Sequence, residues 1–137
     1  MSGGYYFMKK TVSVGIGGAL GTLFRCALFQ LPQPCGAFSH LLMTLLINVT
    51  GSFFLGLLAI LFIRKIPVSA EMRLAVMTGI LGGYTTFSTM CKDAVTLLQS
   101  GLVLPAFLYL AFTVLLGLSA AWGGIRIGKR LERRRKA

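Results

Sequence analysis

The chain has 137 residues, of which 55% are hydrophobic and only 12% charged, yet its formal net charge is +11. An ordinary soluble domain carries about twice that charged share, so a water-soluble enzyme is excluded on composition. Apolar stretches of about 20 residues recur instead, each long enough to cross a bilayer as a helix, and the basic excess is read against a membrane rather than a nucleic acid.

Four hydrophobic blocks follow one another, over residues 12–31, 41–63, 74–98 and 102–125. Pro32 and Pro34 end the first, since each proline disfavours helix at the residue before it. Arg64-Lys65-Ile66-Pro67 ends the second. Gln99-Ser100-Gly101 is a link so short that the third and fourth spans must be antiparallel neighbours. The expected fold is an all-α integral membrane protein of one four-helix domain, followed by a basic tail over 126–137. Lys9-Lys10 before an apolar run has the look of a secretory signal, but the run is long, Gly-rich and without a cleavage site, so it reads as a retained helix.

The first block holds Gly15, Gly17, Gly18 and Gly21, and the second Gly51 and Gly56. Small residues let helix backbones approach in lipid, which predicts a compact bundle with little room for a pore inside one subunit, and hence a dimer. Arg25 follows this glycine face. It either snorkels to the interface or draws anions toward a vestibule, and the sequence admits both. Asn48 lies near the centre of the second span among Leu45, Leu46, Ile47 and Val49, with Thr44 and Ser52 one turn away on the same face. An amide at that depth is interhelical glue or a pathway ligand.

The third block contains Gly82-Gly83-Tyr84-Thr85-Thr86-Phe87-Ser88-Thr89-Met90. Paired glycines and clustered hydroxyls do not belong in a continuous lipid-facing helix. Irregular backbone at that depth survives only where it is buried or lines a cavity, so a broken third helix is expected, of the kind that holds or passes an ion. The fourth block adds Tyr109 and Thr113 at i, i+4, and Trp122 fits an aromatic belt. Cys26, Cys35 and Cys91 show no zinc-ligand spacing, His40 reads as an interfacial residue, and no triad, paired carboxylates or nucleotide loop is present, so no enzyme is expected.

Charge placement sets orientation. With four spans, Lys9, Lys10, Arg64, Lys65, Arg73 and the basic run from Arg126 to Lys136 share one side, against at most Arg25 and Lys92 on the other. The positive-inside rule places both termini in the cytoplasm, in a cell inner membrane.

Three segments together carry a resemblance: Gly18-Ala19-Leu20-Gly21 with Arg25, Leu45-Leu46-Ile47-Asn48 with Gly51, and Gly82 to Thr89. They are similar to the Fluc (CrcB) fluoride channel family over nearly the whole chain, and Asp93 sits where that family usually places an acidic residue. The resemblance implies a passive fluoride-exporting channel built as an antiparallel dimer with two pores. It makes Asn48 a pore amide and Phe87 a pore phenylalanine, whose ring edge favours an anion. Ser88, Thr89, Tyr109 and Thr113 become hydroxyls replacing part of the fluoride hydration shell, and Thr44, from the stripe with Asn48, joins the ion path. It places backbone carbonyls of Gly82 and Thr85 around a sodium ion at the dimer interface. One position departs from the family pattern: Met90 stands where a second phenylalanine is usual, so the pore wall is altered. The one-sided charge also argues for a fixed orientation, and so for a homologous partner of opposite topology. A small multidrug-type exporter would need a membrane-embedded carboxylate in its first helix, where Glu71, Asp93 and Glu132 do not fall. A non-transporting assembly protein would not need the hydroxyl-rich break.

Overall fold

The computed structural model describes residues 2–31, 38–64 and 68–134. The described residues form helices: α1 (Ser2–Phe29), α2 (Ser39–Arg64), α3 (Ala70–Leu74), a π-helical stretch (Ala75–Ile80), α4 (Leu81–Tyr84), α5 (Phe87–Gln99) and α6 (Val103–Arg134). Among them, three segments are long and apolar enough to cross a membrane: Tyr6–Phe29, Ser39–Ile63 and Val103–Arg133. The segment expected as a span over 74–98 is instead divided among four helical pieces. The loop with Pro32, Pro34 and Cys35, the Lys65–Pro67 link and residues 135–137 lie outside the described residues.

Both terminal helices exceed the expected boundaries. The first begins at Ser2 rather than near Val12, and the last runs to Arg134 rather than stopping near Ile125. No proline interrupts either extension, and Lys, Arg and Glu are good helix formers, so the basic tail begins as the last turns of α6. At 32 residues, α6 is about 48 Å long, well beyond the ~30 Å hydrocarbon core. Trp122 marks where it leaves, with the Arg126 guanidinium 3.7 Å from the indole ring centre.

Glycines set how the helices meet. α2 packs along α6, and α1 packs on the π-helical stretch and α4. A Cβ on Gly17 would overlap the Ala75 carbonyl, one on Gly21 the Ile80 carbonyl, and one on Gly83 the Gly18 carbonyl. Along the other seam, Gly56 meets the Ala121 carbonyl and Gly124 the Phe53 carbonyl. These approaches bring backbone within contact of backbone, which is how association is driven where lipid gives no hydrophobic gain. Gly15 has nothing within 4 Å and stands outside both seams. Between α5 and α6, the turn relies on Gly101, whose φ of 75° is in the left-handed region.

α3 starts at Ser69, whose side chain accepts from the Met72 N–H at 3.2 Å. The backbone N–H at Glu71, helped by the Ser69 hydroxyl, holds the Glu71 carboxyl below the usual carboxylate range.

Gly124→Leu is expected to destabilise the protein by about 1–3 kcal/mol through overpacking of the α2–α6 seam, read as a lowered thermal midpoint in detergent. Gly123→Leu, where a Cβ meets nothing within 4 Å, should leave that midpoint unchanged.

Candidate functional site

The segment between the π-helical stretch and α5 interrupts its own hydrogen-bond ladder. Gly82 and Gly83 weaken helix by backbone entropy, and the β-branched Thr85 and Thr86 suit extended backbone. Thr85 has φ −70° and ψ 155°, and Thr86 has φ −146° and ψ 114°. α4 closes with the Thr85 N–H and hydroxyl both donating to the Leu81 carbonyl, at 3.0 and 2.9 Å. α5 then opens at Thr86, whose Oγ1 accepts from the Thr89 N–H at 3.1 Å, a side-chain N-cap. The preceding π-helical stretch adds a residue to its turn, with the Leu81 N–H reaching back to the Val76 carbonyl.

Asn48 closes this interruption from α2. Its Oδ1 accepts the Thr86 N–H at 2.8 Å and its Nδ2 donates to the Thr86 carbonyl at 3.0 Å. One amide thus satisfies both backbone polar groups of the residue between the two helices. The Thr86 N–H is thereby taken from the carbonyl four residues back, that of Gly82, which an unbroken α-helix would have paired with it. Gly51, one turn below Asn48, makes room: a Cβ there would overlap the Thr85 methyl and lie 3.2 Å from the Tyr84 ring. The Thr22 hydroxyl donates to the Gly83 carbonyl at 3.3 Å, and the Tyr84 and Thr50 hydroxyls meet at 2.9 Å.

A groove of about 270 Å³ runs past this clamp, lined among others by Asn48, Ser52, Gly82, Thr86, Phe87 and Met90. The Phe87 ring stands out from the subunit at 75% exposure, while Met90, one turn on, is buried at 7%. The two residues therefore share one groove but not one environment. Gly82 is exposed, with nothing within 4 Å of where a Cβ would be. No packing inside the subunit accounts for that glycine.

The hydroxyls separate by what they donate to. Thr44 is fully buried, and its Oγ1 lies 2.8 Å from Asp93 Oδ2 and 3.0 Å from the His40 carbonyl. The Tyr109 hydroxyl donates to the same Asp93 oxygen at 3.2 Å, and the Thr113 hydroxyl donates to the Tyr109 carbonyl at 2.7 Å. These three protons are engaged inside the subunit. By contrast, Thr89 Oγ1 accepts from the Thr86 hydroxyl at 2.9 Å, which leaves its own proton uncommitted. Asn48 also keeps one of its two amide N–H bonds beyond the Thr86 carbonyl. Ser88 is exposed, its Oγ 3.3 Å from that of Thr86. Arg25 is half-buried on α1, apart from these hydrogen bonds.

Two residues of this site are not among the candidates read from the sequence: Thr86, and His40, which reads there as an interfacial residue. Thr86 sat inside the anomalous run but was not singled out. His40 precedes Thr44 by four residues, so extending the Thr44–Asn48–Ser52 stripe one turn back reaches it.

Three apolar spans around an interrupted segment, with the polar groups of that segment gathered in one groove, define a small integral membrane protein built to handle an ion. The chain belongs to the CrcB family: the family described as "CrcB-like protein, Camphor Resistance (CrcB)" matches residues 12–125. It is 40% identical over 122 residues to the fluoride-specific ion channel FluC of Rhizobium meliloti (strain 1021), covering 88% of this chain and 96% of the relative. It is 38% identical over 130 residues to that of Allorhizobium ampelinum, covering 89% and 98%, and 38% identical over 124 residues to that of Hydrogenovibrio crunogenus, covering 90% and 94%.

Asn48→Asp keeps an acceptor for the Thr86 N–H but sets a carboxylate against the Thr86 carbonyl and puts negative charge beside the groove. It is expected to lower the thermal midpoint by the equivalent of about 1–3 kcal/mol and to abolish fluoride flux. Undiminished flux in this variant would count against the groove as an anion path.

Proposed function

We propose that this chain is a subunit of a fluoride-selective channel that lets fluoride leave the cytoplasm passively and so relieves its toxicity. The observation that carries the reading is the interrupted segment clamped by Asn48, within a chain whose relatives across most of its length are named fluoride-specific ion channels. The third span is a discontinuous transmembrane helix, and the first turn of α5 brings the positive end of its dipole to the break, an arrangement that favours an anion.

Fluoride holds its water tightly, so an anion path must offer hydrogen-bond donors where water is stripped away. Asn48, Ser88 and Thr89 have N–H or O–H bonds available for that, with the Phe87 ring edge beside them. Thr44, Tyr109 and Thr113 belong to the same path but act through Asp93 and the backbone. Met90 fills the wall next to Phe87.

The subunit assembles as an antiparallel dimer. Support comes from the outstanding Phe87 ring, the exposed Ser88 and the open face at Gly82, which a second copy would cover. The charge bias favours one orientation with both termini cytoplasmic in the inner membrane, and so a homologous partner of opposite topology. The donor set also fits a sodium ion at the twofold. Carbonyl oxygens suit a hard cation, the Gly82 carbonyl has lost its helical donor to Asn48, and Gly82 itself is exposed. Gly82 and Thr85 would hold the ion, which would link the two breaks by charge.

Liposomes carrying this chain alone, or with a homologous subunit of reversed charge bias, are compared with a fluoride electrode and a chloride control. Fluoride efflux only from the pair is expected. Robust efflux from the chain alone would remove the requirement for an unlike partner, and no efflux from either would overturn the channel. Within the active assembly, Thr89→Val should slow efflux by about tenfold through loss of a donor to an ion. Thr113→Val, whose proton faces a carbonyl of its own helix, should change it less than about twofold.

A further inference from the structure

At the end of the bundle where α1 stops and α2 begins, side chains from two helices converge on a carboxylate from a third. Asp93 of α5 is 7% exposed, and its Oδ2 accepts from the Thr44 and Tyr109 hydroxyls. Its Oδ1 lies 2.9 Å from His40 Nδ1. An ionised carboxylate only accepts, so with Asp93 ionised Nδ1 is the donor in that pair. Nε2 is then the ring nitrogen left outside the pair. The His40–Asp93 hydrogen bond therefore persists whether the imidazole is neutral or charged, and protonation changes only the charge of the pair, from one negative to none.

The environment suits such a change. The His40 side chain is 51% exposed on the subunit while that of Asp93 is 8% exposed, so the imidazole is the open end of the pair and the carboxylate its covered end. The Phe29 ring from α1 stacks on His40 at 4.7 Å between centroids and adds no charge. A cavity of about 340 Å³ opens beside the pair, lined by His40, Asp93, Lys92 and Ser100 among others. The groups facing His40 and its partner are thus Asp93 and Lys92 from α5 and the Tyr109 hydroxyl from α6. Lys92 contributes a fixed positive charge that partly offsets the carboxylate at every neutral pH.

We infer that His40 is a positioning residue for anion passage: it holds Asp93 against the Thr44 and Tyr109 hydroxyls and, on gaining a proton, cancels the carboxylate charge beside the ion path. The inference rests on the reading that the path runs along Thr44 and Tyr109. An uncompensated carboxylate repels an anion strongly where water is scarce. Flux is therefore greatest with His40 protonated and falls as pH rises through the imidazole range.

The test is fluoride efflux from liposomes holding the active assembly, with equal pH on both sides stepped from about 5.5 to about 8.5, bracketing the ordinary imidazole value. Protein-free liposomes subtract the leak of undissociated hydrogen fluoride. Wild-type efflux should fall about tenfold across that range, the effect of a partly screened unit charge near the path. His40→Gln, which can keep an uncharged donor there, should give a flat profile at the slow limit. A His40→Gln profile that follows the wild type overturns the inference, and so does a flat wild-type profile. Absence of fluoride efflux from the wild type at every pH would instead remove the channel reading itself. The His40 imidazole followed by NMR in the wild-type protein gives a second readout: its ring resonances should change across that pH series, and change differently in Asp93→Asn. Resonances that do not change there, or are indifferent to Asp93→Asn, overturn the inference without depending on flux.

Discussion

A backbone N–H and C=O freed from a helix inside a bilayer have no water to turn to, and everything distinctive in this protein follows from how those of Thr86 are satisfied. One side chain does both: the Asn48 amide accepts from the N–H and donates to the carbonyl. Without that clamp the N–H and carbonyl of the buried Thr86 would need other partners, and leaving them unpaired is costly. With it, α5 begins afresh in the interior with its own N-cap, and a carbonyl at Gly82 is released.

The glycines matter because the clamp works only at short range. Gly51 lets Thr85 and Tyr84 lie against α2, and Gly17, Gly21 and Gly83 hold α1 close to the segment that ends at the break. The second seam, through Gly56 and Gly124, fastens α2 to α6 and so aligns Asn48 and Thr44 with Tyr109. Close packing and polar satisfaction are therefore one device. Among the described residues, no buried side-chain nitrogen or oxygen lacks a partner.

Much of this was legible in the residue string, because a membrane makes composition informative. Glycines and hydroxyls inside an apolar run are costly unless used, so the Gly82–Met90 anomaly and the isolated Asn48 could be picked out singly. Their bond could not, since the two lie on different helices and periodicity does not report contacts between helices. The stripe of Thr44 and Asn48 was read correctly as one face, yet its members do different things: Asn48 binds backbone and Thr44 binds a carboxylate. His40 reads as an interfacial residue because it begins a helix, while its bond to the buried Asp93 is a tertiary fact that the residue string does not carry. α1 and α6 run past the spans read from the sequence, since hydropathy marks where the bilayer stops and not where the helix does.

The length of α6 has a mechanical side. From Val103 to Trp122 the helix rises about 29 Å, close to the thickness of the hydrocarbon layer, and the indole with Arg126 over it acts as a stop that resists sinking further. The Gly56 and Gly124 contacts bring α2 and α6 backbone to backbone, and tilting such a pair as a unit is one way to meet a change in bilayer thickness. Asn48 rides on that pair, while the opposite flank of the break is held by α1. The membrane thus has a lever on the groove, and lipid chain length becomes a variable of conductance in its own right.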